Sequence, residues 1–255
     1  MRLSYIIIFS LLGSVGALTG AGLLLAFPKS YYQFKIPFLA YAVGTLLGST
    51  FIGLLPEAIE QGRPESVCLA ALAGIFIFFF LEKILRLPHR HGHADQQGDH
   101  LGRHHEVHPV GTLILIGDTF HNFVDGVVIA TAFSSSVPLG MLTSLAVIAH
   151  EIPQELSDFV ILLQSRWSSR RAYWMNFLSS LGTPTGAMLG YISLQIIAPN
   201  LPFVLAVAAA SFLYVAMADL APILHHEAGF RRSLVQFAGL LLGAGTIFLL
   251  NVILG

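Results

Sequence analysis

Long runs of apolar residues recur along almost the whole chain, and each is long enough to form a membrane-spanning helix. About 20 apolar residues cross the ~30 Å hydrocarbon core of a bilayer as an α-helix. The pattern predicts an all-α integral membrane protein with eight transmembrane helices. The first apolar run continues beyond the usual length of a secretory signal, so we expect it to be retained as a span. The eight windows lie near residues 4–27, 36–60, 66–87, 109–133, 137–164, 173–197, 201–223 and 233–254.

The composition of the chain supports this class. Apolar residues make up 55% of the sequence and charged residues 11%, and the mean hydropathy is +0.75, whereas soluble domains carry about 25% charged residues. The sequence has no basic, aromatic-rich surface of the kind that binds nucleic acid. We therefore expect membrane lipid, and no nucleic acid, as a partner. Cys68 is the only cysteine, which excludes an intrachain disulfide.

The positions of Lys and Arg predict the orientation, because positive residues in short loops stay on the cytoplasmic side. Of the 13 such residues, only Arg2 and Arg63 lie on the side shared by the two termini. The bias predicts that both termini are extracytoplasmic and that the number of spans is even. The residues on the opposite side are Lys29, Lys35, Lys83, Arg86, Arg90, Arg103, Arg166, Arg170, Arg171, Arg231 and Arg232.

One connection, residues 89–108, is long and polar and separates residues 1–88 from residues 109–255. It has few apolar residues to bury, so we expect a disordered cytoplasmic loop within one membrane domain. Two interpretations of the loop remain open: a solvated linker, or a weak metal-binding strip, since imidazole is a common metal ligand. Its histidines are His89, His91, His93, His100, His104, His105 and His108.

Polar residues interrupt the fourth apolar window in a helical pattern. Asp118, His121, Asn122 and Asp125 stand at offsets 0, 3, 4 and 7, so they share one face of a helix. His121 and Asp125 lie one turn apart, a spacing at which one cation can bind an imidazole nitrogen and a carboxylate oxygen. The face therefore predicts one half of an intramembrane metal site.

The fifth window carries a second stripe, formed by His150, Glu151, Gln154, Glu155 and Asp158. Pro153 within this stripe removes a backbone donor and predicts a bend. Both stripes fall about half way along their helices, so we expect them to face each other. Imidazoles with carboxylates suit zinc, iron or manganese better than the all-oxygen cages of calcium and magnesium.

A purely structural role for the paired stripes is unfavourable, because each buried acid costs ~2.5–3.5 kcal/mol on membrane-insertion scales. For single residues at the ends of helices the alternatives stay open. Each of these either lies in the ion pathway as a secondary ligand or is a structural or interfacial polar group. They are Asp118, Glu155, Asp158, Glu57, Asp219, His225 and His226.

The motifs HNFVDG, residues 121–126, and HEIPQE, residues 150–155, resemble those of the ZIP (Zrt/Irt-like) family of divalent metal transporters. The similarity extends to residues 44–58 and 211–222. It implies a ZIP-type helix bundle, a homodimer and a binuclear metal centre that carries zinc, or iron, manganese or cadmium, into the cytoplasm across the plasma membrane, the inner membrane in a prokaryote. The ligands it implies are His121, Asn122, Asp125, His150, Glu151 and Gln154.

The sequence departs from that branch of the family at several positions, and three of them concern candidate metal ligands. Gln154 stands where the branch commonly has His, and it can bind a metal only through a neutral carbonyl oxygen. Ser49 and Gly53 replace an Asp and a His of the second helix. These changes leave the choice of metal open.

Two other functions compete with transport. A membrane-embedded zinc hydrolase would need a second His one turn after His150, but Gln154 occupies that position. A proton or cation exchanger could also use buried carboxylates. We expect no enzymatic activity and no catalytic cofactor, with the divalent metal as cargo.

Overall fold

The computed structural model describes residues 2–19, 22, 28–86, 109–165, 167–193, 198–225 and 229–254, and every regular element within these ranges is helical. The predicted loop 89–108, with its seven histidines, and His226 lie outside the described residues. The prediction of an all-α protein is confirmed for the described ranges.

Eight helices follow one another in the described ranges. They are α1 (Arg2–Thr19), α2 (28–61), α3 (Pro64–Arg86), α4 (Pro109–Ser135), α5 (Val137–Gln164), α6 (Ser169–Ser180 and Gly182–Ile192, joined at Leu181), α7 (Ala198–His225) and α8 (Phe230–Leu254).

The sixth helix begins at Ser169, ahead of its predicted start at residue 173. The reason is a cap: the Ser168 hydroxyl accepts a hydrogen bond from the backbone N–H of Arg171 at 3.3 Å, which satisfies a donor that the first turn leaves unpaired. Hydropathy misses this turn because Arg170 and Arg171 are polar.

Five of the helices are long and apolar enough to cross a membrane: α1, α2 from Ile36, α3, α7 and α8. α4 and α5 have 27 and 28 residues, but their ionisable stripes lower their hydropathy. Membrane-spanning helices are thus confirmed, whereas eight spans and two extracytoplasmic termini stay predictions. α5 continues as an α-helix through Pro153.

α4 packs between α5 and the second half of α6. Its contact with α6 is as close as two backbones allow. A Cβ atom at Gly126 would lie 1.9 Å from the carbonyl oxygen of Thr183, and one at Gly186 would lie 2.0 Å from that of Phe123. Small residues permit such approaches between membrane helices. This contact brings the polar side chains of α6 beside the stripe of α4.

The remaining helices surround this core. α8 packs on α2, and α7 packs on α3. The most apolar parts of α3 and α8 are only 11% and 17% buried, against 67% for α2, so most side chains of α3 and α8 lie on the outside of the helix bundle. Three helices contain a π-helical turn: Leu12–Gly16, Ser49–Leu54 and Val215–Leu220. Such turns are frequent near functional sites.

Candidate metal centre

Four side chains from the two predicted stripes meet between α4 and α5. His121 and Asp125 come from α4, His150 and Glu151 from α5, and one ligand atom of each lies within 4.8 Å of all the others. The Nε2 atoms of the two histidines are 3.2 Å apart. His150 Nε2 lies 2.9 Å from Asp125 Oδ2 and 3.6 Å from Glu151 Oε1, and His121 Nε2 lies 3.7 Å from each of these oxygens.

These spacings match the ligand shell of one transition-metal ion. Bonds of ~2.0–2.1 Å to nitrogen and oxygen place neighbouring ligand atoms roughly 2.9–3.4 Å apart in octahedral or tetrahedral arrangements. The distances from the two histidine Nε2 atoms, 2.9 to 3.7 Å, begin in that range and exceed it by a few tenths of an ångström. Small side-chain rotations are therefore enough for the four donors to share an ion.

The ring of His150 is fixed in the orientation that a metal ligand requires. Its Nδ1 lies 2.9 Å from the carbonyl oxygen of Ala146, and since a carbonyl can only accept, Nδ1 carries a proton. In the neutral ring, which metal binding requires, Nε2 has a lone pair that faces Asp125 Oδ2. Hydrogen bonding at the opposite nitrogen is the usual way in which proteins orient a metal-binding imidazole.

Three carboxylate oxygens of this centre lack a hydrogen-bond donor among the described residues. Asp125 Oδ2 and both oxygens of Glu151 are buried, and no described residue donates a hydrogen bond to them. When the ring of His150 is neutral, the 2.9 Å contact between its Nε2 and Asp125 Oδ2 joins two acceptors. A cation between these groups would satisfy all of them at once.

Access to the centre is uneven. His121 keeps 21% of its side chain exposed, whereas the other three side chains are at most 2% exposed. The ring of Phe212 packs edge-on against His150 with 5.9 Å between the ring centroids. His121 is therefore the most accessible of the four candidate ligands.

The other two implied ligands, Asn122 and Gln154, direct their amide groups to Asp118. Asn122 Nδ2 and Gln154 Nε2 donate to Asp118 Oδ1 at 3.1 and 3.3 Å. The Asn122 carbonyl oxygen accepts from the Thr183 hydroxyl at 2.7 Å. Asn122 and Gln154 therefore lie beside the four-residue centre, and their role as ligands stays a prediction.

Asp118 connects α4 with α6 as well. Its Oδ2 accepts a hydrogen bond from the Ser179 hydroxyl at 2.6 Å. Ser179, Thr183 and Asn176, all on α6, were not identified from the sequence. Ser, Thr and Asn are ordinary in membrane helices, and no ionisable pattern in α6 distinguishes these three.

The candidate secondary residues lie apart from the centre. Glu155 contacts Asn176, and Asp158 is in hydrogen-bonding contact with Asp118. Asp219 lies half-buried in the π-helical turn of α7, and His225 is exposed at the end of that helix. Their functional roles stay predictions.

Glu57 lines a cleft of about 360 Å³ between the ends of α2 and α8 and the start of α5. Its carboxylate accepts hydrogen bonds from Gln61, at 2.5 Å, and from the hydroxyl of Ser135. Glu60 lines the same cleft. By the predicted orientation this cleft opens on the outer side.

Comparisons with known proteins identify the family of the chain. A family described as ZIP Zinc transporter matches residues 2–111 and 86–251. Metal cation symporter ZIP14 of Xenopus tropicalis is 28% identical over 95% of this chain and 68% of its own length. Human metal cation symporter ZIP8 is 26% identical over 89% of this chain and 65% of its own length.

Human zinc transporter ZIP4 is 29% identical over 72% of this chain, and the match spans 38% of ZIP4. The family match covers both candidate stripes and nearly all the described helices. Together with the apolar helices it identifies a multi-pass integral membrane protein. The chain belongs to the ZIP family of divalent metal transporters.

Proposed function

We propose that this protein carries zinc, and other divalent transition metals such as iron, manganese or cadmium, into the cytoplasm through the centre formed by His121, Asp125, His150 and Glu151. The observation that supports this most directly is the buried pair of acceptors, His150 Nε2 and Asp125 Oδ2, facing each other at 2.9 Å. Relatives with the printed names zinc transporter and metal cation symporter support the same cargo.

Charge balance explains how such an ion could reside in the membrane. A dication bound by Asp125 and Glu151 forms a neutral group, because the two carboxylates offset its charge. The imidazoles of His121 and His150 replace part of its water shell and suit zinc better than calcium or magnesium. Since His121 is the partly exposed ligand, it would exchange the ion while the other three hold it.

A second ion beside the first would make the centre binuclear, as the resemblance implies. Asn122 accepts one hydrogen bond, from Thr183, and a carbonyl oxygen has two lone pairs. Gln154 lies on the same side, next to Asp118. These amides would hold the second ion more weakly than imidazoles hold the first.

The wider setting of transport follows from the same resemblance. We infer a homodimer in the plasma membrane, with the His-rich loop 89–108 on the cytoplasmic side as a weak metal-binding strip. Glu57 at the outer cleft would attract the ion. Asp219, His225 and His226 would meet it near the inner end of α7.

Reconstitution in liposomes that contain a zinc-sensitive dye tests the proposal. Liposomes with the purified chain should take up external zinc. The variants His121→Ala and His150→Ala should fold normally, and each should give no dye signal. Ser144→Ala is a matched control, because this buried hydroxyl on α5 bonds only to its own helix, at Gly140, among the described residues. It should transport at the parent rate.

Three results would contradict the proposal: an equal response in liposomes without protein, a folded His150→Ala variant with normal flux, or peptide or lipid hydrolysis without flux by the same preparation. The last result would favour the hydrolase. Proton flux without metal flux would favour the exchanger.

A further inference from the structure

A second polar cluster lies one turn or more from the centre, between α5 and the first half of α6. α4 and α5 are consecutive helices that pack against each other. Glu155 follows Glu151 by four residues, about 6 Å along the axis of α5. Asp118 precedes His121 on the antiparallel α4, so it is displaced in the same direction. The cluster therefore lies beside the centre rather than within it.

Glu155 and Asn176 form the buried part of this cluster. Glu155 is 1% exposed and Asn176 is fully buried. The Nδ2 atom of Asn176 donates to Glu155 Oε2 and, at 3.2 Å, to the backbone carbonyl of Glu155. These hydrogen bonds fix the two side chains relative to each other.

The other oxygens of this pair have no donor. Glu155 Oε1 and Asn176 Oδ1 are buried, and neither accepts a hydrogen bond from a described residue. An amide that uses its N–H groups on a carboxylate while its own carbonyl is buried without a donor is unusual, because buried polar groups are nearly always paired. Two such acceptors on contacting side chains indicate a missing positive charge.

Two more carboxyl groups lie close to this pair. Asp118 and Asp158 both act electrostatically on Glu155, and Asp158 is in hydrogen-bonding contact with Asp118. Asp118 is already held by donors from Ser179, Gln154 and Asn122. It is therefore fixed by its own partners, whereas Glu155 Oε1 has no donor among the described residues and is open to a cation.

We propose that Glu155, Asn176 and Asp158 form a second cation site that binds a divalent ion through oxygen atoms alone. Carboxylate and carbonyl oxygens suit harder ions such as Mn²⁺ and Mg²⁺, in contrast to the imidazoles of the first centre. A role for this site in transport rests on the function proposed above, whereas binding of the cation does not.

Manganese binding to the purified full chain tests the site. Zinc is first added at twice the amount of protein, to fill both positions of the binuclear centre proposed above, and Mn²⁺ is then titrated and followed by electron paramagnetic resonance. We expect one Mn²⁺ per chain whose pulsed spectrum shows no directly bound nitrogen. Glu155→Gln and Asn176→Leu should each weaken this binding by at least about tenfold, as loss of a supporting partner does at other metal sites.

Two further variants serve as controls. Asn176→Asp keeps an oxygen at the same place and adds a charge, so it should retain or tighten Mn²⁺ binding. Ser180→Ala removes a buried hydroxyl of the same helix that bonds to Phe177 and neighbours Ser14, and it should leave binding unchanged.

The site is refuted if the zinc-loaded parent chain binds no Mn²⁺, or if the bound Mn²⁺ shows a directly coordinated nitrogen. Both measurements use the parent chain and do not depend on the folding of a variant. It is also refuted if folded Glu155→Gln and Asn176→Leu bind Mn²⁺ like the parent. If the parent chain shows no zinc flux, that result counts against the proposed transport function. It does not affect the measurement of Mn²⁺ binding.

Discussion

His150 Nε2 and Asp125 Oδ2 lie 2.9 Å apart across the contact of α4 with α5, while His150 Nδ1 donates to the carbonyl oxygen of Ala146. When His150 is neutral, two buried lone pairs face each other. Such an arrangement is unfavourable without a positive charge between the groups. The fold holds it because α4 and α5 are fixed by their other contacts.

Asp125→Asn should stabilise the metal-free protein while it weakens zinc binding. The new amide can donate to His150 Nε2, which removes an unpaired buried acceptor worth roughly 1–3 kcal/mol. Thermal unfolding in detergent should show a higher midpoint for the variant without metal. Addition of zinc should raise the midpoint of the parent and leave that of the variant almost unchanged.

A metal-free variant whose unfolding midpoint lies below that of the metal-free parent would contradict this account of Asp125. So would a variant that gains as much stability from zinc as the parent does. Thr131→Ala, on the same helix, is a suitable comparison because its hydroxyl bonds to the Val127 carbonyl at 2.7 Å. It should respond to zinc like the parent.

Gly126→Ala should disrupt the packing of α4 on α6. Its Cβ would lie 1.9 Å from the Thr183 carbonyl oxygen, and since backbone atoms cannot yield, the helices must separate. Overpacking of this kind costs at least roughly 1–3 kcal/mol. Unfolding of the purified variant in detergent measures the loss.

Gly117→Ala provides the matched control on the same helix. A Cβ atom there would meet no described atom within 4 Å, and alanine in a helix is favoured over glycine by roughly 0.5–1 kcal/mol. This variant should be as stable as the parent or more so. Equal stability of the two variants would show that α4 and α6 are farther apart than the structure places them.

Gln154→His should tighten zinc binding by roughly tenfold, which corresponds to about 1.4 kcal/mol. Imidazole is a better donor to zinc than an amide carbonyl, and position 154 adjoins Asp118 beside the centre. Calorimetric titration with zinc measures the change, with Gln154→Ala as the control. An unchanged affinity in the histidine variant would place residue 154 outside the ligand set.

Deletion of residues 92–106 should preserve the maximal rate of zinc flux and raise the concentration needed for half-maximal uptake. Closely spaced histidines can concentrate metal near the membrane without forming the pathway. Flux in proteoliposomes across a range of zinc concentrations tests this. Complete loss of flux by a folded deletion variant would show that the loop is part of the route.

The sequence alone determined the helices and the faces that carry the chemistry. Hydropathy located the apolar segments, and the helical repeat placed His121 with Asp125 on one face and His150 with Glu151 on another. Ionisable residues are so costly in lipid that their pattern carries information by itself. The four side chains that converge in the structure are therefore residues that the pattern had already selected.

Tertiary structure decided which polar groups contact each other. Asn122 and Gln154 share the same faces, yet their amides bond to Asp118, and Thr183 and Asn176 enter from α6. Periodicity assigns a residue to a face of its own helix, but it contains no information about the register of a neighbouring helix. That register depends on where backbones can approach, as Gly126 permits at Thr183, and this contact is fixed only when α4 and α6 pack together.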